Sequence, residues 1–402
     1  MSLTKFSILV LLTVAILLSA CGNATDSNAP QVQSLPPAPA TPPSSTKPEV
    51  HLYITKVDKL NLRDQPNKGG KVITQLAEGA FVEGTGEVSA NKEKAMLRGV
   101  EWNEPYFKVA STTPARQTGW AYGGALQRVY SGPRATSPDL GKLTQLSMFL
   151  KTLDPKKLAS GQQAWNYVQT NFASSKGTLA DAAFLLLERF LFRMEIEGEF
   201  YKMTESVKWT DEDYQAIDAN RFVMNKYPIA KELGSNGFRL YTGEGLVFPV
   251  VDWNKLSSFF ATKVTPPMKI YLLQTEIEKT ENIMNDGGFS IPVEQVADRA
   301  VFWEKFNQEH PDFVLREETR ESQQWMRHGL TNGADNTPVF DYETKAVREE
   351  FAKMWKYVQE EYPGTAAAKR VKEFSDLVAA EGGKLTKKVE DQRQKYSDEL
   401  MN

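Results

Sequence analysis

Between residues 51 and 130 the apolar positions alternate in short stretches. HLYITKV, from His51 to Val57, is β-branched and two-fold periodic, and VITQL (72–76), AFVEG (80–84), YFKVA (106–110) and GWAYG (119–123) are further short runs. Side chains repeat every second residue on a strand, and turns between strands draw on Gly, Pro, Asn and Asp. Asp64-Gln65-Pro66-Asn67, Lys68-Gly69-Gly70, Glu78-Gly79, Gly84, Gly86 and Gly119 supply that punctuation. The pattern predicts a small all-β barrel or sandwich over 51–130.

SGPRATSPDLG, residues 131–141, reads as a linker, and beyond it the period changes. Leu143, Leu146, Phe149, Leu150 and Leu153 follow one helical stripe; Trp165, Val168 and Phe172 follow a second; Phe184, Leu187, Phe190, Leu191 and Met194 follow a third. Stops at Asp154-Pro155, Gly198, Tyr227-Pro228, Gly287-Gly288, Pro363-Gly364 and Gly382-Gly383 divide the remainder. An all-α domain of irregular helical hairpins is expected over 142–385, ending in a charged helical tail, 386–402. One local exception is GFRLYTGEGLVFPVVDW (237–253), where Thr242-Gly243-Glu244-Gly245 between apolar runs predicts a hairpin with Glu244 at its tip. FVMNKYP, FNQEHPDF and WKYVQEEYPGT each set an aromatic ahead of a Tyr-Pro or His-Pro stop, similar to the inter-helix turn of tetratricopeptide-like hairpins. Their spacings, roughly 83 and 52 residues, do not keep that family's period of about 34.

The N-terminus carries a different pattern. Lys5 is followed by an uncharged run from Phe6 to Ala20, shorter than the roughly 20 residues of a spanning helix. Residues 1–20 therefore read as a cleaved signal. Directly behind stands Cys21, the only cysteine of 402 residues. Leu18-Ser19-Ala20-Cys21 resembles the lipobox of bacterial lipoproteins, and the resemblance implies a lipid on the Cys21 sulfur and attachment to a membrane. Residues 22–50 are rich in Pro, Ala, Ser, Thr and Gln. Together with Cys21 they read as a Pro-rich disordered tether, 21–50, with a reach on the order of 90 Å. Neither an acidic retention pair nor an acidic cluster follows Cys21, so the expected location is the cell envelope, at the periplasmic face of the outer membrane.

Composition narrows the partners. Lys plus Arg number 48 against 51 Asp plus Glu, so there is no broad basic field and nucleic acid is not an expected partner. A lipidated single thiol leaves no disulfide, no Cys-ligated zinc and no thiol nucleophile. His51, His310 and His328 are the whole histidine supply; they form no His-x-x-x-His pair, and no Gly-x-Ser-x-Gly elbow occurs. Carboxylates are the remaining route to catalysis, since two suffice for glycoside hydrolysis. The candidates are Glu195, Glu197 and Glu199, then Asp211, Glu212 and Asp213 behind the natural helix cap Thr210, and Glu317 with Glu318. NGADNTPVFDYE (332–343) is oxygen-rich but lacks the acidic spacing of a calcium loop. No catalytic residue, metal or cofactor is assigned.

The order of the N-terminal strands resembles the bacterial SH3-type domain. The matching residues are Leu60-Asn61-Leu62-Arg63-Asp64-Gln65-Pro66, Lys71-Val72-Ile73 through Leu76-Ala77-Glu78-Gly79, Tyr106-Phe107-Lys108-Val109, and Gly119-Trp120-Ala121-Tyr122 with Leu126. The resemblance implies an SH3-like barrel that recognises cell-wall peptide or docks a protein, with Tyr106, Trp120 and Tyr122 as an aromatic binding strip. Trp120 reads first as a core residue, as aromatics in a small barrel usually are, and Tyr122, two along and on the same face of one strand, shares that reading. The segment Val82–Pro105 is longer than the family's usual connection and predicts an extended hairpin or loop beside any groove. The expected function is that of a lipid-anchored cell-envelope binding or scaffold protein, with peptidoglycan or an envelope protein as partner and the helical domain mediating protein interaction. The alternative is a carboxylate-based peptidoglycan hydrolase, although the Gly-Leu-Met-Gln motif of lysozyme-like folds is missing. A purely structural scaffold is a third reading.

Overall fold

The computed structural model describes residues 49–97, 100–112, 116–133, 137–243 and 245–401. Cys21 and nearly all of the tether lie outside them, as does Glu244. The N-terminal part is one antiparallel sheet of β1 (Glu49–Thr55), β2 (Leu60–Arg63), β3 (Val72–Leu76), β4 (Phe81–Leu97), β5 (Val100–Ser111), β6 (Thr118–Tyr122) and β7 (Leu126–Pro133). Its seven strands run in the order β3-β2-β6-β5-β4-β1-β7.

The expected barrel does not close, because the edge strands β3 and β7 do not pair. The alternation in β1 gives the reason. Val50, Leu52 and Ile54 pack into the core shared with the helices, whereas Tyr53 turns to the opposite face and packs with Leu62, Val82, Val109 and Ala121. Val129 and Tyr130 of β7 also join the helical core. The β7 edge thus buries its apolar face against helices instead of completing a ring. A residue larger than glycine is excluded at Gly119, where a Cβ would come 2.6 Å from the Arg63 carbonyl oxygen across β2 and β6.

The remainder is mostly helical. After α1 (Ser137–Thr152) and α2 (Ala159–Phe172), the chain forms α3 (Thr178–Glu197), the central helix. Phe184, Leu187, Phe190, Leu191 and Met194, the predicted stripe, are all buried on α3. Short helices α4 (Tyr201–Thr204), α5 (Asp211–Asp218) and α6 (Pro228–Ser235) lead to the hairpin β8 (Phe238–Gly243) and β9 (Leu246–Val251). Then follow α7 (Trp253–Phe260), α8 (Pro266–Thr280), the two-residue strands β10 (Met284–Asn285) and β11 (Gly288–Phe289), α9 (Val293–Glu309), α10 (Arg316–Asn332), α11 (Glu349–Glu361), α12 (Ala366–Ala380) and α13 (Lys387–Met401). The two hairpins correct the expectation of an all-α domain; the one over 238–251 stands where the turn residues put it.

The boundaries also differ from the sequence reading. Most of the segment read as a linker is regular structure, since β7 runs to Pro133 and α1 begins at Ser137. The charged tail is a docked helix: Val389 and Tyr396 of α13 are buried, and the Arg370 guanidinium lies 3.8 Å over the Tyr396 ring. One face of the sheet shares a continuous apolar core with the helices, while its other face holds a second, smaller cluster. Polar contacts reinforce the junction, with Arg128 of β7 donating to the carbonyls of Val314, at 3.2 Å, and Phe313, and Ser147 of α1 donating to the Gly79 carbonyl at 3.0 Å. Among the described residues no helix is long and apolar enough to cross a membrane.

Candidate functional site

The three aromatics expected to form a strip share a neighbourhood but not an exposure. Tyr106 and Tyr122 face each other across β5 and β6, edge to face at 5.6 Å, and are only 3% and 6% exposed. The long β4–β5 hairpin, which the Val82–Pro105 segment forms, covers them. The Tyr122 hydroxyl donates toward the carbonyls of Glu93 (2.8 Å) and Trp102 (2.9 Å), both on that hairpin. Burial raises both phenols, that of Tyr106 to about 12 with the Glu93 carboxylate adding to the effect.

Trp120 is different: it is half-buried, and its indole N–H has no acceptor among the described residues. Strand register sets it in a row with Val72, Arg63 and Lys108, because Arg63 lies opposite both Val72 and Trp120 while Lys108 lies opposite Trp120. Directly opposed residues share a face of the sheet. Val72 is 41% exposed on the unpaired edge strand β3. The Lys108 ammonium stands 5.8 Å from the indole centroid and pairs with Glu87 at 2.7 Å. Arg63 is tied back to the Gly70 carbonyl at 2.6 Å, which holds the 64–70 turn beside the row. An exposed strand edge, an amphipathic ring and two cations make a surface that can take an extended peptide with acidic or carbonyl groups.

The carboxylates are dispersed into separate roles. Asp213 completes a capping box with Thr210 at the start of α5. Burial alone would raise its carboxyl, but Lys226 at 2.5 Å, the Tyr227 hydroxyl at 2.7 Å and Thr210 outweigh burial and hold it well below the usual carboxylate range. Glu197 pairs with Arg193 one helical turn away, and Glu199 pairs with Lys202, both in partly exposed positions. Asp211 and Glu212 occupy the first turn of α5, and Glu317 that of α10, where acids favour the helix dipole.

Glu195 and Glu318 are drawn instead to a charged seam between α3, α8 and α10. Glu188 and Glu195, seven residues apart on α3, face Lys279 of α8, and Arg189 bridges to Glu318 at 2.8 Å. Burial lifts the Glu195 carboxyl to about 7, against the Val251 amide that donates to it at 2.6 Å and the nearby Lys279 and Arg239. Burial likewise raises Glu188 and the phenol of Tyr271, which Glu188 and Glu318 raise further. Glu278 accepts from Gln274 at 2.7 Å and from the Trp303 indole at 2.8 Å. The partners of Glu195, Glu278 and Glu318 join strand, helix and indole, as a network holding elements together requires. Glu188, Arg189 and Lys279 were not candidates from sequence. The available signal was two charges interrupting the apolar run FLLLERFLF at helical spacing.

Burial lowers His310, which packs at 4.8 Å on Phe306, and burial with the Arg370 charge lowers His328. Among the described residues no group of three His, Cys, Asp or Glu could hold a metal ion. The oxygen-rich stretch 332–343 is a turn whose Asp341 accepts from the Glu343 and Thr344 amides at 3.1 and 2.8 Å. No family model, no curated protein and no solved structure matches the chain.

Proposed function

We infer that this is a lipid-anchored cell-envelope binding protein, held by Cys21 on the outer membrane facing the periplasm, in which an open SH3-type sheet takes an extended cell-wall peptide or a peptide segment of an envelope protein. The observation that carries the binding reading is Trp120, half-exposed with a free indole N–H in one row with Val72, Arg63 and Lys108. Aromatic and arginine side chains dominate binding energies where they can be desolvated on contact. The helices serve this surface as a rigid mount. They bury the β7 edge and the faces of β1 and β7 nearest them, which leaves the β3 edge, at the other end of the sheet, free. The irregular helical hairpins supply further surface for protein partners.

The test is co-sedimentation of the full chain with insoluble cell wall, beside Trp120→Ala and with released muropeptides assayed. The reading predicts retention of the wild type, at least about a tenfold loss for Trp120→Ala, a variant that still folds with a thermal midpoint lowered only by the ring's partial packing on the sheet core, and no release. Retention that survives Trp120→Ala sinks the role of this row. Absence of retention by the wild type removes the wall peptide and leaves the envelope protein, to be sought by crosslinking at position 120.

A further inference from the structure

Helix α3, the longest among the described residues, begins without a side-chain cap. The N-cap of α3 is Gly177, with φ of 62°, so no side chain caps the helix. The amides of Thr178, Leu179 and Ala180 precede the first one to find a carbonyl, that of Asp181 on Gly177 at 3.0 Å. Free amides at the start of a 20-residue helix, together with its dipole, favour an anion.

A cavity of about 360 Å³ opens at this point, lined among others by Lys142 and Asp139 of α1 and by Ser175, Lys176 and Thr178 at the turn into α3. Its size falls in the range of small-molecule sites. Ser175 is only 6% exposed, and its hydroxyl is buried with no hydrogen-bond partner. A buried hydroxyl left unpaired is a cost that folded proteins rarely carry without a ligand or water to satisfy it. Lys142 is exposed and makes no ion pair among the described residues. Lys176 donates once, to the Thr262 carbonyl at 2.8 Å, which leaves it two further N–H groups. Lys263, whose ammonium burial and the Lys176 charge both disfavour, adds a third cation nearby. Asp139 is the one carboxylate in the wall and is engaged in a contact of its own.

We propose that this cavity is a phosphate-binding site, in which a phosphoryl group sits on the α3 N-terminus, accepts from the Ser175 hydroxyl and is neutralised by Lys142 and Lys176. A tetrahedral anion with three free oxygens matches donors that converge from a helix end, a hydroxyl and two ammonium groups. The phosphoryl group comes from a soluble phosphate ester or from a phospholipid headgroup. This site is independent of Trp120, so either reading can fail alone.

Binding of radiolabelled inorganic phosphate to the full chain in detergent tests it, with vesicles of phosphatidylglycerol and soluble glycerol phosphate as competitors. Saturable binding is expected, weakened about tenfold by Lys142→Gln and more by Lys142→Gln with Lys176→Gln. Displacement by the vesicles identifies the headgroup as the source, and displacement by glycerol phosphate alone identifies the soluble ester. Ser175→Ala separates a ligand role from a packing flaw. It is expected to leave the thermal midpoint without phosphate equal or higher, since an unpaired hydroxyl is removed, while shrinking the rise that phosphate induces. Phosphate binding that does not saturate by about 10 mM, a range weaker than functional sites show, overturns the proposal. So does an affinity unchanged in Lys142→Gln and Ser175→Ala.

Discussion

Glu195 offers the sharpest test of the charged seam. Its carboxyl is lifted from 4.5 to about 7, chiefly by burial. The folded state therefore holds this proton more tightly than the unfolded chain does. Such a group's stabilising contribution is complete below pH 4.5, falls as pH rises toward 7, and is gone above it. At about 1.4 kcal/mol for each tenfold difference in proton affinity, the full loss is roughly 3 kcal/mol, and solvent reaching the half-buried carboxyl reduces it to about 2 kcal/mol. Glu195→Gln keeps an oxygen for the Val251 amide and never ionises. Urea unfolding at pH 4.5 and pH 8 is the assay. The variant is expected to match the wild type within about 0.5 kcal/mol at the lower pH and to exceed it by about 2 kcal/mol at the higher. Asp181, raised by burial to about 6, and Glu188, also raised by burial, lose stabilising weight as pH rises in both proteins and largely cancel in the difference. Equal stabilities at pH 8, or a variant weaker at both pH values, would refute the assignment of an uncompensated buried charge. The second result would mean that attraction to Lys279 and Arg239 outweighs burial.

Arg128→Met keeps most of the side chain's bulk but strips two donors from the carbonyls of Val314 and Phe313. A loss of about 2–3 kcal/mol is expected in denaturant unfolding, still as one transition because sheet and helices share a core. Gly161→Ala drives a Cβ to 2.2 Å from the Asn236 backbone oxygen, which no rotamer can relieve. It is expected to lower stability by about 2–3 kcal/mol, read as a fall in the urea midpoint.

The sheet strands and the principal helical stripes were legible because each follows from local periodicity. HLYITKV alternates because β1 divides its side chains between two cores, and the α3 stripe recurs within a helix that runs through the molecule's centre, where every residue from Ala180 to Leu187 is buried. Thr210 was readable as a cap because a cap needs only its own next turn. The hairpin over 238–251 was readable from its glycines, one of which, Gly245, takes φ of 76°. Binding residues were harder. Trp120 and Tyr122 are two apart on one strand and look alike in sequence, yet the hairpin folding back over β5 and β6 buries one and leaves the other half open.

What the sequence by itself determined is most of the sheet strands, the principal helical stripes and the hairpin over 238–251, because hydrophobic period, turn chemistry and capping act within a few residues of where they are written. Only the tertiary structure decided which surfaces survive. Whether the sheet closes depends on β7 finding α3 rather than β3. Whether burial lifts the Glu195 carboxyl to about 7 depends on what packs over it, including the strand that brings the Val251 amide from more than fifty residues away. Whether Ser175 has a partner depends on what α1 and α3 leave between them. Burial and charge pairing are sums over neighbours in space, and those neighbours are fixed only when the chain has packed.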